Sequence, residues 1–429
     1  MWQYSDPFIS YVLQKSRSSF KHELMLDNTI GIPILQQHGS NDGNVPAYHS
    51  RLMHELLGQT QWPSQFFELP GRGHWFEGVM TTPHLLDFYE NSTSSTRRLN
   101  APLDFTITVP SSGDIGSVYG LQVDQLQSPD LNGQIKVTRN PKTNTWYLRT
   151  QNIHRFHLLT SSQTKKPASL VLDDKEHPFI VEPGRSDETW FLKNDQGQWT
   201  SSHEKSWQNI YQRYGRQLGS MDAILRSDGP FTIFACSPNV ERMALQISRN
   251  IFQYFAADTR IIKKCSSDPS VSAGTFDERT GNAIILAIGD DLPPSKNQEF
   301  PIDVFDGKLV LSKTYDHDHF GTTAEKPPRK QRHMSEYAYE EGLGALFLRP
   351  LKNEHLELVV WGADLHGIEQ AARIAPTLTG VGQPDFLVLS HDCPCKGHAG
   401  LYAAGHFDKF WQISHNSYIR NGLMLHWII

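Results

Sequence analysis

Apolar positions change their period twice along the chain, and the changes divide it into three stretches. In residues 1–97 short apolar runs alternate with helical stripes. Ile32-Pro33-Ile34-Leu35 reads as a buried strand, and Gln65 to Leu69 as a second. Between them, Pro46 to Leu57 predicts a helix, with Pro in its first turn and Tyr48, Leu52 and Leu56 four apart. Phe8, Tyr11 and Val12 fall at helical spacing near the start. Thr82-Pro83 opens a last helix whose apolar face carries Leu85, Leu86, Phe88 and Tyr89. The polar run from Asn91 to Arg98 ends this periodicity and sets the first boundary.

Residues 98–203 switch to period-two alternation. Phe105 to Val109, Gln134 to Thr138, Trp146 to Thr150, Phe156 to Thr160, Ser169 to Leu172 and Thr189 to Leu192 are short β-branched or aromatic runs. Gly, Pro, Asn and Asp clusters separate them, which predicts an antiparallel sandwich or meander. Trp146, Trp190 and Trp199 read as core or face packing, and His154 as a hydrogen-bonded structural residue.

Residues 204–429 alternate strand and helix. Phe231 to Ala235, Arg260 to Lys263, Asn282 to Ile288, Lys308 to Leu311, Gly344 to Leu348, Leu356 to Trp361 and Asp385 to Leu389 read as strands. Asn239 to Phe255 predicts a helix with Met243, Ile247, Ile251 and Tyr254 on its stripe, and Gly367 to Ala375 another with Ile368, Ala371 and Ile374. This predicts a Rossmann-like α/β unit with a mostly parallel sheet. The loop Cys236-Ser237-Pro238-Asn239 lacks a G-x-G-x-x-G, so no nucleotide cofactor is expected.

Composition narrows the picture. At 38% hydrophobic and 20% charged the chain suits a globular protein, and a net charge of −6 gives no sign of a general nucleic-acid binder. Lys326 to Arg332 reads as a solvated basic loop. No apolar window is long enough to span a membrane. Met1-Trp-Gln-Tyr-Ser-Asp6 does not start like a signal peptide. Four cysteines make no disulfide framework, and Asn91-Ser92-Thr93 is a lone glycosylation sequon.

The chemistry concentrates at Gln37-His38-Gly39-Ser40-Asn41-Asp42-Gly43-Asn44-Val45-Pro46 and at Gly73-His74-Trp75-Phe76. Each segment follows a predicted strand. One delivers an Asp on a loop and the other a His. An Asp placed to accept the imidazole Nδ1 proton fixes the tautomer, and the second ring nitrogen can then take a proton from a serine. Chain order Asp then His suits the end of a Ser, Asp, His series.

The pattern strand, H-G-x-x-D-x-x-V, helix, strand, G-x-G-H resembles the prolyl oligopeptidase and dipeptidyl peptidase IV family of serine peptidases. It is carried by His38, Gly39, Asp42, Val45, Gly71, Gly73 and His74, over roughly residues 4–90. The resemblance implies an α/β-hydrolase in which Asp42 is the triad acid and His74 the triad base. The family's G-x-S-x-G elbow occurs nowhere in the chain, and 41 residues precede Asp42. The expectation is therefore the C-terminal portion of a longer hydrolase, inactive alone, acting in its intact form on a peptide substrate without cofactor or metal. The alternative is a non-catalytic binding or scaffold protein, or an inactive remnant. Gly219 to Leu225, with the later Trp361-Gly362, is more loosely similar to an accessory domain of large hydrolases of this kind. The fold expected is thus a truncated α/β-hydrolase tail (1–97), a β-sandwich-like middle (98–203) and an α/β accessory domain (204–429). Two strands cannot close a hydrolase sheet, so 1–97 is expected to be the least stable part unless the third unit covers it, since open apolar area forgoes about 25 cal/mol per Å².

Two further clusters remain. His391-Asp392-Cys393-Pro394-Cys395-Lys396-Gly397-His398, with His406 beyond, mixes soft and borderline ligands suited to zinc, but C-x-C spacing is poor for it, and a turn is the plainer reading. Cys393 and Cys395 would be a redox pair if the protein is secreted. Tyr315-Asp316-His317-Asp318-His319 reads as a polar loop.

Overall fold

A computed structural model describes residues 6–60, 62, 64–94, 102–159, 166–175, 177–181, 188–194, 196–263, 265, 281–315, 331–376 and 382–420. Most of the loops Tyr315 to His319 and Lys326 to Arg332 lie outside the described residues.

The first helix, α1 (Pro7–Lys15), starts at an N-cap in which Asp6 accepts from the Phe8 N–H, with Pro7 in the first turn. Its buried stripe, Ile9, Val12 and Leu13, belongs to the core of the C-terminal unit rather than to the stretch that follows it. After α1 the chain runs along the β-rich unit. The Asn28 amide pairs with both backbone groups of Thr108, and the Tyr119 hydroxyl donates to the Ile30 carbonyl.

Next comes a small layered unit of β1 (Leu35–Gly39), α2 (Tyr48–Gly58), β2 (Gln65–Leu69) and α3 (Pro83–Ser94), with β1 and β2 parallel. The strand expected at Ile32 to Leu35 is displaced to Leu35–Gly39, and Ile32 is 50% exposed. Pro33 has no N–H to give a neighbouring strand, so the ladder opens only after it, at Leu35 opposite Gln65. Between residues 32 and 94 the described buried hydrophobic side chains are Ala47 and Leu57.

The β-rich unit follows. Its strands are β3 (Asp104–Val109), β4 (Leu121–Leu126), β5 (Gly133–Asn140), β6 (Thr145–Gln151), β7 (Ile153–Leu158), β8 (Ser169–Leu172), β9 (Phe179–Ile180), β10 (Thr189–Lys193) and β11 (Trp199–Ser202). They form two sheets, ordered β3-β5-β6-β8-β9 and β11-β10-β7-β4, antiparallel except for β6 with β8. Alternate residues of both sheets, among them Ile107, Val123, Ile135, Leu148, Phe156 and Phe191, share one core. Trp146, Trp190 and Trp199 are buried.

The C-terminal unit holds β12 (Phe231–Ala235), α4 (Glu241–Phe255), β13 (Thr259–Ile262), β14 (Ala283–Ile288), β15 (Ile302–Phe305), β16 (Lys308–Tyr315), β17 (Gln331–Ala338), β18 (Gly344–Pro350), β19 (Leu356–Gly362), α5 (Leu365–Arg373), β20 (Phe386–Leu389), α6 (Cys393–Lys396), β21 (Leu401–Gly405) and β22 (Tyr418–Ile419). Eight strands make one sheet, ordered β13-β12-β14-β19-β18-β20-β21-β22, and β15-β16-β17 make a separate antiparallel one. The sheet expected to be mostly parallel is mixed. The four strands from β13 to β19 are parallel, and from β19 onward every neighbour is antiparallel. The short loop Leu351–His355, with Asn353 and Glu354 at positive φ, folds β18 directly back on β19 and leaves no room for a crossover helix. On α4 the buried face is Ala244, Ile247 and Ile251, whereas Tyr254, expected on it, is exposed.

Cys236, at the end of β12, is disulfide-bonded to Cys265, 29 positions on. This bond was not expected, because a single pair leaves no spacing framework to read. In a chain-entropy account, closing a loop of that size contributes about 3–4 kcal/mol.

Arg213 joins the units. Its Nη1 and Nη2 donate to the two oxygens of Asp385 at 2.5 and 2.9 Å, its Nε to the Gln217 carbonyl at 2.9 Å, and its remaining hydrogens to the Phe407 and Gly219 carbonyls. Burial pushes the Asp385 carboxyl up, but the Arg213 guanidinium and the His406 ring outweigh it and hold it at about 2. The folded-state value lies below that of the unfolded chain, so the associated stability is present above the ordinary carboxylate range and is lost as pH falls from about 4 toward 2.

Three expected outcomes follow from this architecture. Arg213→Ala strands a buried carboxylate and should cost about 3–5 kcal/mol in urea unfolding at neutral pH, and the wild-type midpoint should fall on acidification below about pH 4. In hydrogen exchange, β1 amides should exchange well ahead of β18 and β19, which are buried along their whole length; comparable protection would show that the small unit is held as firmly as the large sheet.

Candidate functional site

The small unit brings together the two residues that the sequence pattern singles out. β1 ends at Gly39 and β2 at Leu69, on the same edge of the parallel pair, so both following loops leave side by side. Backbone bonds lace these loops. Ser40 N–H donates to the Leu69 carbonyl at 3.0 Å, Asn41 N–H to the Arg72 carbonyl at 2.9 Å, and Gly71 N–H to the Ser40 hydroxyl at 2.9 Å. The approach is too close for a side chain at Gly39, where a Cβ would stand 2.4 Å from the Arg72 carbonyl oxygen. Gly71 supplies the positive φ, +71°, that turns the second loop.

Asp42 and His74 meet at the crossing. Nδ1 of His74 lies 2.8 Å from Oδ2 of Asp42. The other carboxylate oxygen accepts the N–H groups of Asn44 and Val45 at 2.8 and 2.9 Å. The Asp42 side chain is 5% exposed and that of His74 34%. The Val45 N–H does most to hold the Asp42 carboxyl down, against the opposing pull of burial, and the His74 ring and Asn44 N–H add to it, leaving it at about 2. An ionised carboxylate only accepts, so it fixes the proton of a neutral His74 on Nδ1. The lone pair then sits on Nε2, which has no partner among the described residues. Trp75, 79% exposed, stands edge-on to the His74 ring with centroids 5.1 Å apart.

His38 was expected only as a motif residue at a turn. It lies inside β1 and bridges three elements. Its Nε2 is 2.9 Å from the Val45 carbonyl and 3.2 Å from Asp42 Oδ2, and its Nδ1 is 2.7 Å from the Ser50 hydroxyl on α2. A carbonyl cannot donate, so Nε2 carries the proton and Nδ1 accepts from Ser50 in the neutral ring. Period-two alternation signals this in the sequence, because it puts Gln36 and His38 on one face of β1, toward α2. Gln36 bonds Ser64 there, and Arg51 of α2 grips Glu68 of β2 with two bonds.

The other candidate clusters do not assemble. Cys393 is half-buried, with its thiol pushed up by burial, Cys395 is exposed, and both are free. His406 lies apart from them, buried beside Asp385. Among the described residues no three His, Cys, Asp or Glu side chains are placed to hold a metal ion, and no helix is long and apolar enough to cross a membrane. His154 is buried and bonded to Gln127; burial, then Lys409 and Arg155, push its ring down to about 3.

The low Asp42 value and the His38 bridge give one expected outcome. By carbon-detected titration the Asp42 carboxyl should have a midpoint near 2. His38→Ala removes the tether on Val45, whose N–H contributes most to that value, and should move the midpoint up toward the ordinary carboxylate range near 4. An unchanged midpoint would show that the loop holds Asp42 without His38.

No known protein-family pattern matches the sequence. The chain is 40% identical, over 425 residues, to an uncharacterized secreted protein of Arthroderma benhamiae. The alignment covers 98% of this chain and 43% of that protein, so the chain spans less than half the length of the curated relative it matches.

Proposed function

We propose that residues 35–94 are the acid-and-base end of an α/β-hydrolase of the prolyl oligopeptidase type, and that the intact protein is an exported serine hydrolase acting on peptide bonds. The observation that carries this reading is the Asp42–His74 pair. Its carboxylate is anchored by two backbone N–H groups, its imidazole proton is fixed on Nδ1, and its Nε2 is open. In the proposed reaction Asp42 orients His74 and steadies the imidazolium. Nε2 of His74 takes the proton of a serine hydroxyl during attack and returns it to the leaving amine. The serine and the oxyanion donors come from sequence outside this chain, which contains no G-x-S-x-G. In this reading the half-buried β1–β2 pair is the margin of a larger sheet. Export is supported by the Cys236–Cys265 disulfide, a bond that persists in oxidising compartments, and by the word secreted in the relative's name. Residues 102–420 carry no assigned chemistry in this reading.

The test compares this chain with the same protein extended to its full reading frame, on a panel of dipeptidyl and prolyl chromogenic substrates. The extended form alone should turn over, and His74→Ala should lower its kcat by at least about 10³-fold. Equal turnover by the His74→Ala variant would remove His74 from the chemistry. Silence of both forms across the panel would favour a non-catalytic binding or scaffold role.

A further inference from the structure

We infer that Asn91 is a modification site that carries an N-linked oligosaccharide. Asn91-Ser92-Thr93 is the one N-x-S/T triplet with a non-proline centre in the whole sequence. It falls in the last turn of α3, where Asn91, Ser92 and Thr93 are all exposed. The Asn91 amide makes no hydrogen bond among the described residues, so a glycan there displaces no contact of the fold. The contacts of α3 with the β1–β2 layer lie at its start, where the His84 ring stacks on Phe67 of β2 at 3.8 Å and Thr82, just before the helix, bonds Gln37 of β1. An oligosaccharide at Asn91 therefore sits on the C-terminal turn of the helix, away from its contacts with the β1–β2 layer.

The Thr93 hydroxyl, which the acceptor triplet requires, donates to the Tyr89 carbonyl at 2.7 Å in the folded helix. Transfer consequently belongs to the extended chain, before α3 forms. In that step Nδ2 of Asn91 bonds to the anomeric carbon of a lipid-pyrophosphate-linked oligosaccharide. The anomeric C–O bond breaks, the lipid pyrophosphate leaves and the amide gives up one proton. The inference rests on the export part of the function proposed above, and the disulfide supports that part independently of the hydrolase chemistry.

The experiment expresses the full reading frame in a secreting eukaryotic host. Protein from the medium is treated with peptide N-glycosidase, and the peptide spanning residue 91 is read by mass spectrometry. The expected result is aspartate at position 91 after treatment, and loss of the glycan from that peptide in both Asn91→Gln and Thr93→Ala. Secreted wild-type protein with unmodified Asn91 overturns the inference and leaves the export reading standing. Protein retained in the cytosol with unmodified Asn91 overturns both.

Discussion

The five hydrogen bonds of the Arg213 guanidinium are the contact on which the arrangement of the chain depends. Two go to a carboxylate at the foot of β20, and three to the carbonyls of Gln217, Gly219 and Phe407 in the C-terminal unit. The Arg213 carbonyl accepts from Gln125 of β4, and Gln125 in turn accepts from Arg155 of β7. The linker leaving the β-rich unit is thus fixed to both units through one residue, with Trp411 stacked against its guanidinium at 5.0 Å. Replacing a buried pair by apolar side chains often costs nothing, whereas removing one member costs a great deal. What the fork supplies is therefore register: a single placement satisfies all its donors, and any other leaves a buried charge bare.

The candidate site sits on the opposite kind of scaffold. The β1–β2 unit has two strands, few fully buried apolar side chains and polar residues on both faces of β1. Gln36 is bonded toward α2 and Gln37 toward the Val79–Thr82 turn. Its order comes from directional bonds, with the two loops laced by backbone groups and His38 pinning one to α2. Such bonds hold a geometry without contributing much net stability each, about 1 kcal/mol for a typical one. A unit built this way can present a well-defined Asp–His pair while opening easily, unlike the large sheet in which β18 and β19 are buried throughout.

The legibility of the chain follows the same division. Strand positions are legible where burial on one face or two writes a period into the sequence. The β1 boundary was misread because an apolar run outweighed Pro33. The mixed direction of the C-terminal sheet was hidden because strands buried on both faces read alike whether parallel or antiparallel. The five residues between Pro350 and Leu356 are too few for a crossover helix, so the spacing, unlike the burial pattern, does carry the hairpin. The helix α1 carries a readable stripe, but its partner lies at the far end of the chain, and periodicity does not name a partner. Asp42 and His74 were legible because their loops follow parallel neighbours. His38 was legible only as a letter in a motif, since its bonds to Ser50 and Val45 depend on how α2 crosses the strand.

A second Asp–His pair shows which features distinguish the candidate site. Asp124 and His157 lie 2.8 Å apart through the same Nδ1 contact as Asp42 and His74. Yet both side chains are nearly closed off, at 12% and 7% exposure, and the His157 ring packs toward Trp190. Burial raises the Asp124 carboxyl despite its imidazole partner, whereas backbone donors lower that of Asp42. The hydrogen bond is therefore common to both and diagnostic of neither. The difference lies in the loop. Two N–H groups aimed at the far oxygen keep Asp42 charged, and a ring one-third exposed leaves Nε2 free to exchange a proton with an incoming group. Asp124 sits within β4, an edge strand whose pairing with β7 is irregular at that point, and no backbone N–H donates to its carboxylate among the described residues. Placement on post-strand loops, more than the identity of the pair, makes Asp42 and His74 fit for chemistry.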